Sequence, residues 1–130
     1  MEITGANGQV YAFEPADITM LSQDGSDSFI VFGLRNFFIR VMSDLPKFMD
    51  SLSNKADFVQ LTFARNGHDF WANVETINTV DGVQETDRVS FPLANARLTF
   101  NRMHGKHPFF NTQDVDTAVS LINAVGGSVS

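Results

Sequence analysis

The sequence predicts an α+β protein of antiparallel sheets with two helices, built as an internal duplication of a β-β-β-β-α unit about a pseudo-twofold axis. Three observations carry this reading. Residues 31–41 run as strand, tight turn and strand, and a weaker copy returns 59 positions later over residues 90–100. Phe32, Leu34 and Asn36 recur as Phe91, Leu93 and Asn95, and Ile39 and Val41 recur as Leu98 and Phe100. The same offset pairs the turn signal Asn7-Gly8 with Asn66-Gly67, Tyr11 with Phe70, and Ile18 with Ile77. Two amphipathic helical stretches, one near residue 48 and one near residue 118, then close the two copies.

Residues 2–4 form a short strand, and Asn7-Gly8 supplies a hairpin turn into an alternating strand over residues 9–13. Glu14-Pro15 ends that strand, and Ile18 to Leu21 makes the next. A polar turn at residues 23–27 precedes the central hairpin, with strands at 29–32 and 37–41. Ser43 or Asp44 caps a helix with Pro46 in its first turn and Leu45, Phe48, Met49 and Leu52 on one face. The second copy repeats the order, with strands at 58–63, 68–74 and 76–80 and a polar turn at 81–87. A second hairpin joins 89–91 to 96–100. Asn111 or Thr112 caps the final helix, whose apolar face is Val115, Ala118, Val119 and Ile122, and Gly126 stands at its C-terminal end.

With 130 residues, 43% of them hydrophobic, the chain supports one core and hence one domain, made of repeats spanning about 1–54 and 58–130. Thirteen Phe against one Tyr and one Trp point to a core of flat, bulky rings. The absence of cysteine excludes disulfides, thiolate metal sites and cysteine nucleophiles. No apolar run reaches the length of a membrane helix, and no basic-then-apolar leader opens the chain. Cytoplasmic synthesis is therefore expected, with a virion as one destination, and no membrane partner. Nine basic against fifteen acidic residues give a net charge of −6. The two parts divided after Asn54 carry 3 − 7 = −4 and 6 − 8 = −2, so basic residues concentrate in the second. An acidic chain has no global attraction to nucleic acid, so such binding needs a local patch.

The places where the copies differ point to function. Alternation groups Ile30, Phe32, Ile39 and Val41 on one hairpin face, matched by Val89, Phe91, Leu98 and Phe100, and this shared face is expected to be core. The opposite face carries Phe29, Val31, Phe38 and Arg40 in the first copy but Arg88, Ser90, Arg97 and Thr99 in the second. An aromatic face in one copy alone needs a cover, either the chain's own helix or a second subunit. Trp71, alternating with Asp69 and Asn73, joins these residues as an expected interface anchor. Between last strand and helix, the second copy has thirteen residues where the first has two, an insertion of eleven. Arg97 and the insertion's Arg102, His104, Lys106, His107, Phe109 and Phe110 form a candidate partner-binding loop.

Catalytic chemistry finds little footing. His104 and His107 lie three apart but lack cysteine or near carboxylate partners, so no metal is expected. There is no nucleophile elbow, and Gly5-x-x-Gly8 lacks the lysine of a phosphate loop. Asp114 and Asp116 suit a helix N-terminus without catalysis. No enzyme activity and no cofactor are expected. The reading that leads is a structural subunit that self-associates through aromatic sheet faces, as in a viral coat or decoration protein, alone or with other structural proteins. The alternative is a single-stranded nucleic-acid binder. Two β-β-β-β-α units about a twofold axis resemble the layout of the Whirly, PUR and PC4-like families, which bind single strands on curved sheets, and no family motif is matched residue by residue. Aromatics beside arginine, as at Phe38 and Arg40, suit base stacking, but the acidic charge disfavours it.

The basic insertion separates these readings. For an assembly subunit, an Arg102→Ala/Lys106→Ala double variant is expected to assemble less well, because the cluster then meets a neighbour's carboxylates. Oligonucleotide affinity, measured at two salt concentrations, should be absent in both proteins. Intact assembly with lost oligonucleotide binding would reverse the order of the two.

Overall fold

Alternating apolar residues build the first hairpin of the computed structural model, which describes residues 2–33, 38–52, 57–100 and 109–127. β1 (Glu2–Thr4) pairs antiparallel with β2 (Val10–Ala12), and the opposed Ile3 and Tyr11 are both buried. In the turn, Asn7 Oδ1 accepts from the Gln9 N–H at 3.0 Å and Gly8 takes φ +83°. The Asn66-Gly67 turn repeats this, with His68 N–H donating to Asn66 Oδ1 at 2.9 Å and Gly67 at φ +71°. Asparagine closes the local ring while glycine supplies the left-handed backbone. This second turn joins β6 (Phe58–Thr62) to β7 (Asp69–Asn73).

A single 3-10 turn follows each hairpin, at Pro15–Asp17 and at Val74–Thr76. Ile18 N–H closes the first on Pro15 O and Ile77 N–H closes the second on Val74 O. β3 (Met20–Gly25), β4 (Ser28–Phe32) and β5 (Phe38–Val41) join β6 and β7 in a five-stranded antiparallel sheet of order β5-β4-β3-β7-β6. β8 (Ile77–Asp81), β9 (Ala96–Phe100) and β10 (Phe109–Asn111) make a three-stranded sheet of order β10-β9-β8. The two sheets are stitched where β6 ends. Phe63 bridges Asn111, Ala64 N–H donates to Phe110 O, and Thr112 N–H donates to Thr62 O, both at 3.0 Å.

The five-stranded sheet is the middle layer, apolar on both faces. One face packs Met20, Leu61, Phe70 and Ala72 against Leu98 and Phe100 and against Ala118 and Ile122 of α3 (Val115–Ala124). The other packs Leu21, Phe29, Val31 and Ile39 against Ile3 and Tyr11 and against Leu45 and Leu52 of α1 (Leu45–Leu52). Phe48 of α1 lays its ring 5.0 Å from that of Phe29. Burying each such ring or branched chain fully contributes about 1.5–3 kcal/mol, and the two clusters together hold most of the buried side chains among the described residues.

The α+β class with antiparallel sheets stands, and five sequence expectations are corrected. The hairpin faces are regrouped: Val31 lies opposite Ile39 and Phe29 opposite Val41, while Ile30 and Phe32 lie opposite Arg40 and Phe38. Phe29 and Val31 are therefore core, not outer face, because a one-residue change of register inverts which side chains share a side. The expected strand at 89–91 is instead the end of a helix, α2 (Glu85–Ser90), and β9 pairs with β8 and β10. Gln84 and Asp87 form a capping box there, with Gln84 N–H donating to Asp87 Oδ2 at 2.9 Å, so the acidic stretch read as a turn starts a helix. That makes three α-helices among the described residues rather than two. Finally, β10 forms inside the stretch read as inserted loop.

Two stability predictions follow from local geometry. Gly33 sits at φ +104°, and a Cβ there would lie 2.8 Å from the Thr19 backbone nitrogen and closer still to its hydroxyl. Gly33→Ala is expected to lower the unfolding free energy by about 2–3 kcal/mol, read from urea denaturation. Asp114 caps α3, accepting from the Thr117 N–H at 2.8 Å, and this bond lowers its carboxyl pKa from the ordinary 3.8. A depressed folded-state pKa stabilises fully above the unfolded value and is lost as pH falls through the folded one. The stability gap between the native protein and Asp114→Ala, followed by urea denaturation across pH, should therefore be open at neutral pH and close as pH falls below the ordinary carboxylate value through the lowered folded-state one.

Candidate functional site

The face of the five-stranded sheet that packs on α3 is only partly covered by it. α3 lies over β6 and the three-stranded sheet, leaving the β4–β5 end of that face to other side chains. Ile30 and Phe32 are half-buried there, Phe38 is 65% exposed and Met42, just beyond β5, is 66% exposed. Rings then meet edge to ring across the structure. Phe38 lies 6.0 Å from Phe32, Phe32 lies 5.9 Å from Phe109, and Phe109 lies 5.9 Å from Phe63 and 5.6 Å from Phe100. Such separations fall in the attractive range for tilted and edge-on pairs.

Between these rings lies a cleft of about 350 Å³. Its sheet wall is Ser22, Ile30 and Phe32, and its second wall is Phe63, Arg65 and Asn66 from the end of β6 and the following turn. Phe91, Phe109 and Phe110 complete it, with Phe91 stacked on Phe110 at 4.7 Å. All of these phenylalanines are half-buried, so each keeps some surface toward the opening. Arg65 and Asn66 are exposed at the rim.

The expected interface residues separate onto the two faces of the sheet. Phe29 and Val31 are fully buried beneath α1, and Trp71, opposite Leu21 and Gln60, is half-buried on that same side. Phe38 and Arg40 lie on the other side, and Arg40 Nε meets Asp24 Oδ2 at 3.0 Å. Of the expected loop residues, Phe109 and Phe110 line the cleft. Arg97 sits in β9 opposite Asp81, its Nη2 4.0 Å from Asp81 Oδ2, and its Nε is buried without a hydrogen-bond partner among the described residues. Arg102, His104, Lys106 and His107 lie outside the described residues. Sequence reading missed Phe63, Arg65, Asn66 and Phe91 as cleft residues. The signal available was the Arg-Asn-Gly turn, where Arg65 stands two positions after Phe63 at the strand end.

Among the described residues no group of three or more His, Asp or Glu side chains converges as a metal site, and no helix is long and apolar enough to cross a membrane. The arrangement offers apolar contact, ring stacking and one guanidinium. A scan against models of known protein families, a search of curated proteins and a search of solved structures each found no match.

Proposed function

We propose that the protein is a non-enzymatic assembly subunit that self-associates through the β4–β5 end of its five-stranded sheet. The observation that carries this is Phe38, an aromatic side chain 65% exposed on an edge strand, beside Ile30, Phe32 and the exposed Met42. Apolar surface of this kind on a sheet edge is a common docking element, and a second copy would remove it from water. Phe29 and Val31, core residues of the same chain, leave the interface reading, and Trp71 adds to it only on the opposite face. The virion role and partnership with other structural proteins belong to the same proposal. So does descent of the two halves from one unit, supported by the matching Asn-Gly turns and 3-10 turns at the offset of 59.

The single-strand reading has one observation in its favour: half-buried Phe109 and Phe110 beside Arg65 offer stacking next to a cation. Against it stand the net charge of −6 and the carboxylates already engaged by Arg40 and Arg97. Self-association therefore leads.

Phe38→Asp tests it. Placing a charge where an apolar anchor packs is expected to weaken association by on the order of 2–4 kcal/mol. Light scattering should show a drop to a lower mass with an unchanged circular dichroism spectrum. A variant that keeps the native mass removes Phe38 from any subunit contact.

A further inference from the structure

The cleft beside Phe109 has a composition that self-association does not require. Its volume of about 350 Å³ falls within the range of small-molecule sites, roughly 300–1,000 Å³. Its walls are mostly phenylalanine, and its rim groups, the Arg65 guanidinium and the Asn66 amide, are free to donate. Asn66 Oδ1 is already used by the His68 N–H, which leaves its NH₂ as the group available to donate. Arg65 differs from the other arginines described. Arg40 and Arg97 each have a carboxylate partner, and Arg88 donates to Ala94 O and Asn95 Oδ1. Arg65 has neither an ion pair nor a hydrogen bond among the described residues. Among the described residues no carboxylate lines the cleft.

We propose that this cleft binds a small aromatic monocarboxylate. The flat body lies among Phe32, Phe63 and Phe109, and the carboxylate meets Arg65, with Asn66 as a second donor. Aromatic rings select a flat apolar body by area and edge-to-face contact. The guanidinium selects the acid, because an Arg–carboxylate pair is charge-assisted and geometrically matched. On a chain of net charge −6 a local cation is also what allows an anion to approach. Neutral aromatics gain only the ring contacts, and aliphatic acids only the charge.

Calorimetric titration of the full chain with 2-naphthoate, and with 2-naphthalenemethanol as its neutral counterpart, tests the assignment. The acid should bind saturably at one site, and the alcohol roughly tenfold more weakly. Arg65→Gln, at an exposed position, should fold normally by circular dichroism and abolish that difference. Phe109→Ala should weaken both ligands. Equal affinity for acid and alcohol, or acid binding unchanged in Arg65→Gln, overturns the proposal, as does the absence of saturable binding. Acid binding that appears only in Phe38→Asp assigns the cleft to the second copy and also overturns it. An oligothymidylate that binds with Arg65 dependence where 2-naphthoate does not assigns it to a single strand instead. The mass of Phe38→Asp reports on self-association separately, so either idea can fail alone.

Discussion

The buried side-chain amide of Asn73 donates to Ile18 O at 3.0 Å, while its backbone N–H donates to Thr19 O at 2.9 Å. Its Oδ1 accepts from the Glu75 N–H, and Thr76, equally buried, closes its hydroxyl on Asn73 O at 2.8 Å. These bonds join the entry to β3, the central strand of the five-stranded sheet, with the exit from its neighbour β7. Thr19 N–H in turn donates to Phe32 O, which draws in β4 beneath the glycine at position 33. Polar groups at this depth cost about 1–3 kcal/mol each when left unpaired, so the arrangement of Ile18, Thr19, Asn73 and Thr76 admits few alternatives. Once β3 and β7 are aligned, Met20 lies opposite Ala72 and Leu21 opposite Trp71, and the two apolar clusters are sorted to their own sides.

That sorting explains why the exposed aromatics collect where they do. The β1–β2 hairpin and α1 cover one side of the β3–β5 region, so Phe29, Val31 and Ile39 are sealed. On the other side α3 makes its main strand contacts with β6, β8 and β9. Rings from β10 and from the end of α2 extend toward the gap, and the cleft is the space they leave. Aromatic contacts there hold shape with few atoms, and they leave faces that water wets poorly.

Much of this was legible in the chain itself, and the rest was hidden for identifiable reasons. Asn-Gly pairs declare their turns through local backbone preference, and α3 declares itself through its apolar period, although its cap is Asp114 rather than the expected Asn111 or Thr112. The parity of the β4–β5 hairpin is not local. It depends on how many residues intervene between Phe32 and Phe38, and a single step exchanges Phe29 and Val31 for Ile30 and Phe32. α2 buries no residue, so it has no hydrophobic period to detect, and β10 is three residues long within a basic, aromatic stretch. The cleft combines β3–β4, the turn after β6, Phe91 and β10, which no window of sequence brings together.

The short helix α2 has a consequence of its own. It lies between β8 and β9, strands that already pair with each other, and none of its six residues is buried. Val89 points 83% of its surface into water. Burial therefore makes no demand on that helix, whose fixed points are Asp87 in the capping box and Arg88 donating to Ala94 O, while Phe91 just beyond it stays stacked on Phe110. A fluorophore attachment point or a tether to a surface could be placed at Thr86 or Val89, both exposed, with Asp87 and Arg88 kept.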